Sequence, residues 1–347
     1  MTLTNSFSLS CSEGFLGKAF EDIKSSQVLF ANKLNEPAIY HLQQANEKIY
    51  KSVRCMLSYL IVEVPLKITK LIHKCIDDFN NKKEKNVFDQ IEIYLEQKKL
   101  KDPNQLNSLF KKTYSHDIRR GLKTELDRVR ELYKDSLNNI SNIIRVEMPK
   151  LAEFLENIIG TLMDQLLKRI ENIVQQYELN SSTSGISEIC SLHAAEDILT
   201  KDEVLEASVI KKLKELKIYD DKTKEYIRKL IKFMMIIFTT LLINMYINRL
   251  GDIRYPNFDN QESHNTLKEE IVSNFNCLLS ATEKNYSKAE AALNILRTFE
   301  QGINAYQCSS KLKYEQFKKD LENISEYIIK KFEKLSSNID LRGEISI

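Results

Sequence analysis

Apolar residues along most of this chain recur every three or four positions and seldom alternate strictly, which is the spacing of a helix that buries one face. Phe15, Leu16, Ala19, Phe20 and Ile23 open the first such stripe, after a polar stretch to Ser12 that predicts a disordered tail over residues 1–13. Pro37 suits the first turn of a second helix, because a proline lacks only an N–H that would have no intrahelical partner there. The stripe of that helix runs Ile39, Leu42, Ile49, Val53, Met56, Leu57, Leu60 and Ile61. Pro65 removes a backbone hydrogen bond and predicts a kink or break before Ile68, Leu71, Ile72 and Cys75 resume the pattern.

Residues 80–86 read as a polar, Lys-rich turn, and Val87, Phe88, Ile91 and Leu95 as the next helix, stopped by Asp102-Pro103. A further helix is predicted over 118–146, interrupted at Met148-Pro149-Lys150 and continued over 151–177. Ser181-Ser182-Thr183-Ser184-Gly185 is the clearest linker. Thr200-Lys201-Asp202-Glu203 has the spacing of a capping box and marks a helix start, and two long helical stretches follow, split by a loop over 251–262.

Composition sharpens this picture. With 8 Gly, 5 Pro and no Trp in 347 residues, turns are rare, which excludes a β-sandwich or a doubly wound α/β enzyme and leaves long helices. The expected fold is all-α, an elongated antiparallel helical bundle with additional C-terminal helices. A helical bundle is expected over 14–200, with a basic stretch at 98–120, and a C-terminal helical region over 201–347. The net charge of +2 draws no polyanion to the surface as a whole, so any electrostatic site is local. Six widely spaced cysteines without a CxxC pair predict free thiols. With neither a signal-like nor a transit-like start, they make the cytoplasm the expected compartment.

Catalytic chemistry is not signalled. Gly14-Phe15-Leu16-Gly17-Lys18-Ala19 is too short for a phosphate-binding loop and lacks its hydroxyl. His73-x-Cys75 and Cys190-x-x-His193 each offer two ligands where zinc takes three or four from protein. No HExxH or GxSxG occurs, so the expectation is a non-enzyme with no catalytic, metal or cofactor site.

Several motifs stand in a telling order. Leu34-Asn35-Glu36-Pro37 with Glu47 is followed by Glu63-Val64-Pro65-Leu66-Lys67-Ile68, then by Ile91-Glu92 and Leu95-Glu96, then by Tyr133 and Val146-Glu147-Met148-Pro149-Lys150-Leu151. This order resembles the stalk and effector region of the dynamin-like large GTPases, without their GTPase domain. The family's Asn-x-His-Pro-Asp-Phe is missing, with Asp102-Pro103-Asn104 a degraded trace. Two segments, 125–180 and 204–300, each fit the effector counterpart. The resemblance implies an antiparallel four-helix stalk that self-associates as a homo-oligomer or joins a dynamin-like GTPase.

The candidate binding residues are basic: Lys98, Lys99, Lys101, Lys111, Lys112, Arg119 and Arg120. If they share one exposed tip they would attract anionic lipid, at about 1 kcal/mol per residue near the surface, and hold the protein peripherally on membranes. A solvated helix end is the plainer interpretation, and nucleic acid is not expected, since Phe110 and Tyr114 alone interleave the cluster. The uncharged run within 233–248 is too short for a span of ~20 residues and reads as a buried helix. Two alternatives to the assembly module therefore stay open: a bundle that inserts residues 233–247 into membranes, and a plain cytosolic scaffold.

Overall fold

The computed structural model describes residues 6–76, 82–105, 118–160, 164, 269, 271–305 and 313–338, and among them the fold is all-α, without strands. Helix α1 (Phe7–Ala31) starts where Ser6 accepts the Leu9 N–H at 3.2 Å through its side-chain hydroxyl, so the N-terminal stretch is helical well before Ser12. This corrects the expected tail over 1–13 for residues 6–13; residues 1–5 lie outside the described ones. Ser8 and Ser12 are fully buried beside Leu9 and Leu16, and the Ser12 hydroxyl finds its partner inside, on Ser52 of the next helix, so a polar residue type does not by itself keep a helix face in water.

The end of α1 is a Schellman turn. Leu34 N–H donates to the Leu29 carbonyl and Lys33 N–H to the Phe30 carbonyl, both at 2.9 Å, with Lys33 in the left-handed region at φ 62°. The chain then reverses directly into α2 (Asn35–Ser58), which begins two residues earlier than Pro37 suggests because proline is tolerated throughout a first turn. Pro65 does not break the rod. The α-helical pattern widens into a π-helical turn at Tyr59–Glu63, where Val64 N–H reaches back to the Tyr59 carbonyl, and α3 (Val64–Cys75) continues from it.

Helix α4 (Lys82–Lys98) begins inside the stretch expected to be a turn, and a 3₁₀ turn at Pro103–Gln105 follows it. Helix α5 (Ile118–Ile144) leads through a short turn to α6 (Pro149–Glu153), which has proline at its first position and opens into a second π-helical turn at Phe154–Ile159. Helices α7 (Phe275–Ala305) and α8 (Tyr314–Asn338) complete the described chain.

Two bodies share the α2–α3 rod. In the first, α1, α2 and α7 pack as three helices. Phe30 stacks on Phe275 at 3.9 Å between ring centroids, while Ser6 meets Glu300 at the opposite end, so α7 runs antiparallel to α1 and alongside α2. Small side chains let these helices approach: Ala19, Ala38, Ala45, Ala281, Ala289 and Ala292 are all buried, Ser12 and Ser52 share a hydrogen bond at 2.7 Å, and Ser26 bonds the Ala38 carbonyl at 2.7 Å. Helix α7 thus belongs to the same core as α1 and α2.

The second body packs α3, α4, α5, α6 and α8 around Val62, Leu66, Phe88, Ile91, Leu95, Ile144 and Tyr314. Helix α3 meets α4 antiparallel, with Lys70 paired to Glu96 at 2.5 Å and His73 to Glu92 at 3.2 Å. Leu100, just past α4, tucks fully buried into the core of the first body and ties the two together.

Lys33 offers a direct test of the hairpin geometry. A left-handed residue with a Cβ costs about 1–2 kcal/mol, and Lys33 is exposed, so Lys33→Gly should raise the unfolding free energy by about 0.5–1 kcal/mol net of the added chain entropy. Lys33→Val should lower it. Urea midpoints would read both.

Candidate functional site

The first turn of any α-helix leaves backbone N–H groups without intrahelical acceptors, and a buried start must satisfy them from elsewhere. At α1 the acceptors come from two distant carboxylates. Glu300 Oε1, on the last turn of α7, accepts the Ser6 N–H at 2.9 Å, and Glu63 Oε1, on the π-helical turn, accepts the Ser8 N–H at 3.1 Å. Both glutamates are buried, and Glu63 keeps only 1% of its exposure. The partial positive charge of the helix start offsets part of the cost of burying two anions together. Lys67, one turn along α3, pairs with Glu300, and the two side chains keep only 11% and 10% of their exposure.

The widened turn directs Tyr59 and Glu63 into this junction. Tyr59 is fully buried, and burial together with the charges of Glu300 and Glu63 pushes its phenol above the ordinary value of 10.0. Its ring lies 5.9 Å from the Lys67 ammonium. Neither the Tyr59 hydroxyl nor Glu63 Oε2 has a hydrogen-bond partner among the described residues. Four residues before Tyr59, Cys55 places its sulfur 2.9 Å from that of Cys11 on α1. The site is therefore a waist at which α1, the α2–α3 rod and α7 meet through buried charge, a phenol and two thiols.

A parallel device occurs in the second body. Met148 caps α6 without a side-chain hydrogen bond, and Glu322 of α8 supplies one, accepting the Lys150 N–H at 3.1 Å and the Leu151 N–H at 3.4 Å. Along α1 and α2, Asp22 holds His41 at 2.9 Å and also pairs with Lys48.

The sequence did not show that Glu63 and Glu300 meet at the start of α1. One signal existed for Glu63: it is the single charge in Leu60-Ile61-Val62-Glu63-Val64, an apolar run immediately before proline. Glu300 carried no signal, because it belongs to a solvated-looking helix whose partner is 294 positions away.

Of the basic residues singled out, Lys98, Lys99 and Lys101 are described in full. Lys98 pairs with Asp135 of α5 at 2.9 Å, and Lys99 and Lys101 both help to hold the Glu96 carboxyl below its usual range, after the larger effect of the Lys70 hydrogen bond. These three flank the buried Leu100, beside the waist. Arg119 and Arg120 fall on α5 without described side chains, and Lys111 and Lys112 lie outside the described residues, as does the uncharged run at 233–248. Among the described residues no helix is long and apolar enough to cross a membrane, and no three His, Cys, Asp or Glu side chains gather as a metal site.

Cys75 and Cys277 are disulfide-bonded, which corrects the expectation of six free thiols; spacing along a chain does not show which sulfurs meet in space. Cys11 and Cys55 are free. The chain matches no protein-family model, no curated protein and no solved structure, so the likeness to dynamin-like stalks has the order of the motifs as its only support.

Two measurements probe the electrostatics. Glu300→Ala leaves Lys67 buried without its carboxylate and two helix ends unfastened, and should cost about 3–5 kcal/mol in urea unfolding. Glu13→Ala, which removes an exposed pair with Arg297 elsewhere on the same helices, should cost under about 0.5 kcal/mol. The Lys98 hydrogen bond, ahead of its charge, lowers the Asp135 pKa below the ordinary 3.8. This pairing accordingly favours folding above that pH and stops doing so as pH falls through the lowered value. Lys98→Met should return the Asp135 titration, followed by carboxyl NMR, toward 3.8.

Proposed function

We propose that this chain is a non-catalytic helical assembly module that works by self-association or by joining a helical partner. What supports the reading is how the buried polar side chains are engaged. Glu63, Glu300 and Lys67 fasten α1 and α7 to the central rod, Glu322 fastens α8 to α6, and Asn46 bonds Thr282 across α2 and α7 at 2.8 Å. Groups that in an enzyme converge on a substrate here hold helix ends in register. Long helices joined rigidly along one rod suit a part whose role is to keep two surfaces at a set distance.

The order of motifs that resembles dynamin-like stalks points the same way, toward a part that assembles. A partner GTPase is compatible with that reading, and homo-oligomers are its simplest form.

Light scattering on the purified chain should show dimers or larger species at tens of micromolar. A strict monomer over that range, which also retains no helical partner, sinks the proposal. The same preparation should neither bind nor hydrolyse GTP, and measurable turnover overturns the non-catalytic half of it.

A further inference from the structure

We propose that Cys11 and Cys55 are an oxidation site that a small-molecule disulfide closes into a covalent bond between α1 and α2. Their sulfurs lie 2.9 Å apart, inside the van der Waals separation of two unbonded sulfurs, while neither is bonded to another residue. The two differ in access. Cys11 is partly exposed at the edge of the core of the three-helix body, whereas Cys55 is fully buried in it.

That difference assigns the roles. The Cys55 S–H donates to the Cys11 sulfur and stabilises a thiolate there, and this holds the Cys11 pKa below its ordinary 9.0. Cys55, for the same reason and by burial, keeps its proton. Cys11 is the attacking sulfur and Cys55 the resolving one.

The chemistry balances with glutathione disulfide as the oxidant. The Cys11 thiolate attacks one glutathione sulfur, a Cys11–glutathione bond forms, the glutathione S–S bond breaks, and one glutathione thiolate leaves and takes up the proton Cys11 gave up. Cys55 then attacks the Cys11 sulfur. The Cys11–Cys55 bond forms, the mixed disulfide breaks, and the second glutathione leaves with the Cys55 proton. Two protein thiols lose two electrons, and one glutathione disulfide becomes two thiols.

Two observations bear on where such a step matters. The chain already holds Cys75 and Cys277 as disulfides, so its sulfurs are subject to oxidation. The pair also sits beside the waist, with Cys55 feeling the charge of Glu63, so the new bond would clamp α1 next to its carboxylate cap. This site stands whether or not the chain self-associates.

The test is to treat the full chain with glutathione disulfide and map its peptides without reduction. Wild type should yield a peptide joining Cys11 to Cys55 with no lasting glutathione on either, and its thermal midpoint should rise by several degrees. Cys55→Ala should accumulate glutathione on Cys11, because nothing displaces it, and Cys11→Ala should leave Cys55 unmodified. In the double variant the same treatment should leave the thermal midpoint unmoved. Absence of the joined peptide in the wild type overturns the proposal, and that readout needs no variant to fold. Modification of Cys55 in Cys11→Ala as fast as that of Cys11 in Cys55→Ala overturns the assignment of roles.

Discussion

A helix that begins inside a protein must find acceptors for its first N–H groups, and the architecture of this chain follows from how α1 meets that demand. Ser6 supplies one acceptor locally, and Glu63 and Glu300 supply the others across 55 and 294 positions. Each carboxylate has to be carried to the spot by its own element. The widened turn before Pro65 presents Glu63, and the full length of α7 presents Glu300 with Lys67 beside it. The start of α1 thus ties together the turn where the rod widens its hydrogen-bond pattern and the C-terminal part of α7. Glu322 repeats the arrangement at α6, on a smaller scale and nearer the surface.

Between these fastened ends the helices pack through small residues. Alanines and serines along α1, α2 and α7 bring backbones together, and hydroxyl bonds such as Ser12 to Ser52 take the place of larger apolar contacts. Large side chains gather where the bundle ends: Phe30 on Phe275 at one end, and Tyr59 at the other. The second body uses the more familiar Leu, Ile and Phe core, and buried Leu100 bridges it to the first.

Much of the helical content was legible because long stripes with few Gly or Pro leave little else for the chain to do. The interruption at Met148-Pro149 falls where expected, for proline at the first helical position needs no N–H. What escaped sequence reading has a common physical cause. Residues 6–13 read as a polar tail because hydropathy counts serine as a surface residue, whereas Ser8 and Ser12 are buried. The Lys-rich segment after Asn81 read as a turn although lysine is a good helix former and α4 starts at Lys82. The waist was invisible because its members, Ser6, Cys11, Cys55, Glu63, Lys67 and Glu300, become neighbours only once three helices are in place. Lys98, by contrast, was visible as charge, but its partner Asp135 was not.

The distance between Ser6 and Glu300 also sets an order of events on the ribosome. The α1–α2 hairpin is local and has its Schellman turn and Glu63 in hand once the first 76 residues have emerged. Glu300 is still far from being made. At about 5–20 residues per second, roughly 10–50 seconds pass before α7 exists. Through that interval one face of the hairpin and one N–H of its first turn stay open to water or to chaperones. The first body is therefore completed by the C-terminal third of the chain, and a nascent chain stalled anywhere in the middle carries an unfinished waist.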